Sequence, residues 1–167
     1  MPTFTQSRVK ILAAVVIFIL GIIVVGLLLR HGNNIQTDHG HRTDLEVRTP
    51  GGSILHTQVA DDPAERSIGL SNHDNLAPDE AMLFFFDQPG AHSFWMKDMA
   101  FPIDIVWLGD QGEVLFVVPD ADPSGYPKIY TPPVPATYVI ELVAGFASDH
   151  GIETGNRFTW QEKNQSY

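Results

Sequence analysis

Residues 92–108, HSFWMKDMAFPIDIVWL, contain the strand around which the rest of the chain can be interpreted. Its last seven residues, PIDIVWL, are apolar except for Asp104. Side chains alternate between the two faces of a strand, so Asp104 shares a face with Val106 and Leu108. Both faces are mostly apolar, which predicts a buried strand carrying one carboxylate. A buried carboxylate needs a cation or several hydrogen-bond donors.

Further strands are predicted on both sides of this one. The sequence GDQG at 109–112 favours a turn, so that EVLFVV at 113–118 returns antiparallel to 102–108. Alternating or continuously apolar runs predict the remaining strands at 45–48, 53–60, 81–86, 94–96, 136–143 and 157–161. Several short strands of this kind predict a mainly β sandwich or barrel.

One or two short helices accompany these strands. Asp62 is placed to cap a helix, Pro63 suits its first position, and Glu65 completes a capping box, so a helix is expected to about Leu70. A helical turn is predicted at 146–150. Half of the twelve prolines lie between 119 and 135, which predicts an ordered loop in that region.

The amino-terminal region is typical of a membrane anchor. Residues 11–29, ILAAVVIFILGIIVVGLLL, are all apolar or glycine and would span about 28 Å as a helix. A cleaved signal peptide is the alternative, but no Ala-x-Ala pattern follows the apolar segment. Arg8 and Lys10 precede the span, so we expect a single-pass protein of the cytoplasmic membrane with its amino terminus inside and its globular domain outside.

These features divide the chain into five parts. A tail at 1–10 precedes the transmembrane helix at 11–29, and a flexible linker at 30–43 leads to a globular domain at 44–162 and a tail at 163–167. The linker contains His31, His39, His41 and Asp38. A flexible segment holds no fixed ligand geometry, so no metal site is predicted there.

The composition restricts the classes of function. Three of the 10 basic residues lie at or before residue 30, so residues 31–167 carry 7 basic and 20 acidic residues, a net charge of −13. Such an acidic domain is a poor candidate for nucleic-acid binding. The absence of cysteine excludes disulfides, thiolate nucleophiles and cysteine zinc sites. No nucleotide-binding or serine-hydrolase motif occurs, and no cofactor is predicted.

A set of motifs resembles the family known as domain of unknown function 192 over about residues 45–160. The motifs are, in order, ERSIGL at 65–70, MLF at 82–84, FWMK at 94–97, PIDI at 102–105, GEV at 112–114, IEL at 140–142 with Ala144-Gly145, and Gly151-Ile152 with Gly155. The resemblance implies a compact, jelly-roll-like, mainly β domain and no established activity. Ser71 and Asp98-Met99 stand where the family commonly has Met and Asn-Thr.

Asp104 is the first candidate site residue. It is expected either to accept backbone hydrogen bonds at a bend, to pair with Arg66, or to form a polar cluster with Arg66 and Lys97. Trp95 and Met96 would lie beside that cluster and help to hold a small ligand.

Glu141 is a second candidate buried carboxylate, on the face of its strand that carries Val139 and Val143. Two facing carboxylates can perform acid–base hydrolysis. Tyr126 and Tyr130 in the proline-rich loop are candidates for stacking on a ligand. His92 is expected to be a core or surface histidine.

Three hypotheses about function follow. The first is a membrane-anchored, extracytoplasmic module that binds a small ligand or a partner, with a pocket lined by Trp95, Met96 and residues 119–135. The second is a hydrolase that uses Asp104 and Glu141 in one cleft. The third is a structural subunit of a membrane complex, with an exposed apolar patch.

Overall fold

A computed structural model describes residues 42–162 of the chain. The strands are β1 (Arg42–Arg48), β2 (Ile54–Ala60), β3 (Glu80–Gly90), β4 (Phe94–Trp95), β5 (Ile103–Leu108), β6 (Val114–Ala121), β7 (Ile129–Tyr130), β8 (Ala136–Val143) and β9 (Thr159–Glu162). The helices are α1 (Pro63–Ile68) and α2 (Phe146–Asp149), with a 3₁₀ turn at Pro123–Gly125. The predicted mainly β class with two short helices is confirmed. The predicted transmembrane segment at 11–29 lies outside the described residues, and neither helix within 42–162 is long and apolar enough to cross a membrane.

Seven of the strands form one sheet in the order β6-β5-β8-β3-β2-β1-β9, and β4 pairs with β7 in a separate two-stranded ribbon. All neighbours in the large sheet are antiparallel except β2 and β3, which are parallel. A parallel pair needs a crossover connection. Here α1 and the following loop supply it.

The two ends of the sheet meet near Gly112. The Phe158 amide donates to the Gly112 carbonyl at 2.9 Å, and the Val114 amide donates to the Asn156 carbonyl at 2.8 Å. These bonds join the start of β6 to the residues just before β9. Gly112 has a φ of +79° and lies close to the Phe158 backbone, so the contact requires a residue without a side chain.

The sheet is covered on both faces, which explains the continuous apolar runs in its central strands. One face packs in a cluster that includes Val106, Leu108 and Phe158, and the other in a cluster that includes Ile105 and Trp107. All six residues of β5 are buried, as the sequence predicts. Successive side chains of β5 therefore point alternately into two separate hydrophobic cores.

The start of α1 follows the predicted capping box. The Asp62 carboxylate accepts from the Ala64 and Glu65 amides, and the Glu65 side chain accepts from the Asp62 amide. Pro63 occupies the first helical position, where a missing amide costs nothing. The helix ends at Ile68, slightly before the predicted Leu70.

The predicted loop at 119–135 is wrong at its beginning, because β6 continues to Ala121. The pairing between β5 and β6 is irregular opposite Asp104, between the pairs Ile105–Val118 and Ile103–Ala121. Pro119 and Asp120 lie in this irregularity, and Asp120 has a φ of +50°. β6 is an outer strand of the seven, and a bulge there accommodates a proline that the regular ladder would not.

Candidate functional site

Asp104 is fully buried and is held by three backbone amides. Its Oδ1 accepts from Asp120 at 2.8 Å and from Gly145 at 3.2 Å, and its Oδ2 accepts from Ala147 at 2.7 Å. Asp120 and Gly145 both have positive φ angles. The carboxylate therefore fixes the bulge in β6 and the start of α2 against β5. Of the alternatives set out for Asp104, backbone hydrogen bonding at a bend is confirmed.

The predicted cluster of Arg66, Lys97 and Asp104 is not formed. Lys97 is an exposed side chain that pairs with Asp98 at 3.2 Å. Arg66 Nη1 donates to the Asp61 carbonyl at 2.7 Å and to the Phe85 carbonyl at 2.8 Å. Both cations are therefore occupied away from Asp104, whose donors are all main-chain groups. Charged residues that occur in neighbouring sequence motifs can still place their side chains on different faces of the sheet.

Glu141 occupies the opposite face of the sheet from Asp104. Its position in β8 is aligned with Met82 of β3 on one side and Ile105 of β5 on the other, both fully buried. Glu141 is only 4% exposed, and its Oε2 is buried with no hydrogen-bond partner. Removal of the carboxyl from water raises the pKa of Glu141 to about 8. The side chain is therefore mostly protonated at neutral pH and can donate a hydrogen bond.

Glu141 lies at the wall of a pocket with a volume of about 190 Å³. The other walls come from α1 and the turn after it, from β3, and from the segment that leads into β4. The lining residues are 66–71, Phe84, Phe86, 92–95, Met99 and Glu141. The pocket therefore brings together residues that lie up to 75 positions apart in the chain, as the numbers Arg66 and Glu141 show.

Arg66 is a residue of α1, and contacts with the main chain and with one aromatic ring hold its side chain at this pocket. Its Nη1 bond to the Phe85 carbonyl ties the helix to β3, and its Nη1 bond to the Asp61 carbonyl reaches the residue just before the N-cap. Its guanidinium lies 5.3 Å from the centre of the Phe86 ring. The contact with Phe86 has cation–π geometry. Within residues 42–162 its Nε and Nη2 groups form no hydrogen bond, so they are available to a ligand.

His92 forms part of the same wall, which the sequence did not predict. Its ring stacks on Phe86 with centroids 3.5 Å apart and an interplanar angle of 8°. Its Nε2 lies 3.0 Å from the Gln88 carbonyl oxygen, and its own carbonyl accepts from the Trp107 indole at 2.7 Å. His92 is thereby fixed by its main chain as well as by its ring. The only sequence signal was its place next to the motif at 94–97.

Of the three serines that line the pocket, Ser71 and Ser93 hold its walls by hydrogen bonds that the sequence does not predict. The Ser71 hydroxyl donates to the Lys97 carbonyl at 3.0 Å, and the Ser93 hydroxyl is paired with that of Thr131 at 2.8 Å. These bonds connect the walls to neighbouring loops. Isolated serines in loops carry no pattern from which such a role can be read.

Trp95 is the predicted aromatic residue that the structure does place in the pocket. Its side chain is 53% exposed, and its ring lies 6.5 Å from that of Tyr126. Met96, by contrast, is 2% exposed and belongs to the core. Tyr130 is also buried, with Lys128 Nζ 4.5 Å from its ring centre. Of the predicted ligand-contacting residues, Arg66, Trp95 and Glu141 line the pocket.

No group of three or more His, Asp and Glu side chains in residues 42–162 is arranged to hold a metal ion. The two carboxylates proposed for hydrolysis project from opposite faces of the sheet, since Asp104 aligns with Leu142 and Glu141 aligns with Ile105. They therefore do not form the facing pair that acid–base hydrolysis of a glycosidic bond requires.

Two solved structures share this fold. A crystal structure of a Sinorhizobium meliloti protein described as a "putative transcription regulator" is 30% identical, with a TM-score of 0.63, over 70% of this chain and 91% of that chain. A crystal structure of a protein of unknown function from Novosphingobium aromaticivorans is 25% identical, with a TM-score of 0.62, over 70% of this chain and 83% of that chain.

The family assignment rests on the sequence. No curated protein is significantly similar to the chain. Residues 46–160, which include every strand except parts of β1 and β9, match the family described as "Uncharacterized ACR". The chain therefore belongs to the DUF192 family.

Proposed function

We propose that this protein is a membrane-anchored, extracytoplasmic module whose domain binds a small ligand in the pocket beside Glu141. The observation that carries the proposal is the Glu141 carboxyl, which is buried at the pocket wall with Oε2 unpartnered. Leaving a buried polar atom unsatisfied costs about 1–3 kcal/mol. A ligand that supplies the missing partner recovers that free energy on binding.

The surroundings of Glu141 support a binding role over a purely architectural one. Asp104 shows what a structural carboxylate looks like in this fold, fully buried with three amide donors. Glu141 has no such partners, and it shares its pocket with Arg66 and Trp95. Polar groups that converge on a concave site beside aromatic side chains are typical of small-molecule sites.

Thermal unfolding of the full chain in detergent with a library of small neutral, anionic and cationic fragments tests the binding role. Ligands of the native state raise the unfolding temperature. Ser67→Tyr places a large side chain at the pocket and should abolish the shifts, whereas Ala64→Tyr on the same exposed helix should preserve them. The proposal would be contradicted if no fragment raised the unfolding temperature of either the wild-type chain or Ala64→Tyr.

The proposed membrane arrangement rests on residues 11–29 and on the basic residues before them. The chain has no cysteine, so a single cysteine introduced by Asp110→Cys gives one labelling site in an exposed turn. A membrane-impermeant maleimide should label it on cells stripped of any outer permeability barrier. Labelling only after lysis would overturn the orientation, and release of the unlabelled protein by alkaline washing would overturn the anchor.

We also retain a partner-binding role as a second candidate, because the ribbon exposes apolar side chains. Trp95 and Ile129 are a cross-strand pair on β4 and β7, and they are 53% and 58% exposed. Ile129→Glu should then abolish the cross-linked species that contains the partner when membranes are treated with a cross-linker. Binding of fragments should persist in this variant. If the set of cross-linked species is unchanged in Ile129→Glu, this second role is excluded.

The description of the Sinorhizobium meliloti protein as a transcription regulator is not extended to this chain. Residues 31–167 carry a net charge of −13. Nucleic-acid affinity depends largely on basic side chains that neutralise phosphates. We therefore propose no nucleic-acid partner.

We also propose that the strands form a barrel. The backbone bonds that join Gly112 to Phe158 and Val114 to Asn156 favour a barrel over a sandwich. A jelly-roll-like barrel with the pocket on its outer face is the arrangement that we infer from these bonds and from the strand order.

A further inference from the structure

The charge of the pocket is set by few residues. Arg66, His92 and Glu141 are the titratable side chains of its lining. Burial raises the pKa of Glu141 to about 8, so that Glu141 is mostly neutral at pH 7. The elements that flank Glu141 add no charge, because β3 and β5 present Met82 and Ile105 to it. Among the described residues of the lining, Arg66 is therefore the one permanent charge, in a domain that is otherwise strongly acidic.

Arg66 is also held in a fixed position. Both protons of its Nη1 are taken by the carbonyls of Asp61 and Phe85, and the guanidinium rests over the ring of Phe86. Its Nε and Nη2 groups make no hydrogen bond within residues 42–162, and these two nitrogens lie on one edge of the planar guanidinium. Two donors on one edge match the two oxygens of a carboxylate. Because the side chain is already ordered, little conformational entropy is lost when a ligand binds.

The size and the walls of the pocket restrict the rest of the ligand. A cavity of about 150 Å³ accommodates benzene. The volume of about 190 Å³ here is slightly larger, and the walls include Phe86, Phe94 and Trp95. A single ring or a short branched chain fits these dimensions.

We infer that the ligand is a small monocarboxylate with one flat or branched apolar group, bound with its carboxylate on Arg66 and its apolar part between Phe86 and Trp95. This inference rests on the proposed ligand-binding function. Glu141 then completes the site as a hydrogen-bond donor, and a hydroxyl or carbonyl of the ligand is the acceptor that its Oε2 lacks. A carboxylate on Arg66 also balances the permanent charge that Arg66 brings to the pocket.

Three probes of nearly equal shape separate the possible charges. Benzoate, benzyl alcohol and benzylamine are titrated into the full chain in detergent at pH 7, and binding is followed by the quenching of tryptophan fluorescence. Trp95 lies in the pocket, and Trp95→Phe identifies its share of the signal. We expect benzoate to bind at least about tenfold more tightly than benzyl alcohol, since hydrogen bonds to a charged group are the stronger ones. Benzylamine should bind most weakly.

Two variants test whether Arg66 and Glu141 cause the preference for benzoate. Arg66→Gln should reduce the affinity for benzoate at least about tenfold and change that for benzyl alcohol little. Glu141→Gln keeps a neutral donor and should bind benzoate at pH 7. Above pH 8, ionised Glu141 repels the anion, so wild-type affinity should fall while that of Glu141→Gln does not. His92 is present in both chains, so it does not account for a difference between them.

The outcomes distinguish this inference from the function on which it rests. If benzyl alcohol or benzylamine binds more tightly than benzoate, the carboxylate assignment is overturned while the ligand-binding role stands. If none of the three probes binds, the assignment is likewise overturned, and the fragment screen then decides the ligand-binding role by itself. The probe series uses the wild-type chain, so the result does not depend on Arg66→Gln folding normally.

Discussion

Asp104 and Glu141 project from opposite faces of the sheet although they lie on neighbouring strands. Asp104 aligns with Leu142 and Ile105 aligns with Glu141, so the two carboxylates are one register step apart. Alternation sends adjacent positions to opposite faces. Asp104 therefore meets the amides around α2, and Glu141 meets the pocket below α1. The two acids have separate environments and separate roles.

The role of Asp104 predicts a loss of stability in Asp104→Asn. The amide side chain keeps one oxygen but turns its NH₂ group toward a backbone donor, which leaves at least one of the three amides unpaired. We expect a loss of roughly 2–4 kcal/mol in the free energy of unfolding, measured by urea denaturation. Asp98→Asn is the matched control, because Asp98 is exposed and asparagine tolerates its φ of +58°. Equal losses in the two variants would contradict the structural role of Asp104.

The environment of Glu141 predicts a particular dependence of stability on pH. The pKa of Glu141 is about 8 in the folded chain, against an ordinary value of 4.5 that applies once the chain unfolds. Between these values the folded state binds more protons, so the wild-type free energy of unfolding should fall with rising pH, by up to about 1.4 kcal/mol per unit. Glu141→Gln does not titrate, so it should gain stability relative to the wild type from pH 5 to 8.

Urea denaturation at pH 5, 6, 7 and 8 measures this difference. Glu162→Gln removes an exposed carboxyl on β9 and serves as the control. Parallel stability curves for the wild type and Glu141→Gln would show that Glu141 is ionised in the folded domain. In that case the charge assigned to the pocket would be wrong as well.

Local features of this fold follow from the sequence because their causes lie within a few residues. Asp62, Pro63 and Glu65 specify the start of α1 by hydrogen bonds that span three positions. The strand β8 has the predicted bounds because apolar and β-branched residues fill most of 136–143. Burial of β5 follows in the same way from its composition.

The pocket does not follow from the sequence, since its residues meet only through the order of the strands. Arg66 and Glu141 line one pocket because the parallel crossover places α1 over β3, and β3 lies beside β8. Parallel pairing of β2 with β3 leaves no local sequence signal, so the sequence does not show that Arg66 shares a pocket with Glu141 or that Lys97 pairs with Asp98 instead of Asp104. The sequence does not place Pro119 in a strand for a similar reason, because a bulge in an outer strand is a property of the sheet.

The close contact between Gly112 and Phe158 predicts that Gly112→Ala is strongly destabilising. A Cβ at Gly112 would clash with the Phe158 carbonyl oxygen, and its φ is +79°. Gly52→Ala provides a control with the same kind of backbone strain, since Gly52 has a φ of +90° and open space within 4 Å of where its Cβ would lie. We expect about 1 kcal/mol for Gly52→Ala and at least about 2 kcal/mol more for Gly112→Ala. Similar unfolding free energies would show that the contact between Gly112 and Phe158 does not close the sheet.

The capping box of α1 connects stability to ligand binding, because the same short helix carries Arg66. Asp62→Ala removes the acceptor for two amides and should lower the free energy of unfolding by about 1 kcal/mol. It should also weaken benzoate binding, since Arg66 is ordered partly by the Asp61 carbonyl next to the cap. Asp74→Ala removes an exposed carboxyl outside the helix and should change neither quantity. Loss of stability with unchanged benzoate affinity would show that β3 alone positions Arg66 through the Phe85 carbonyl.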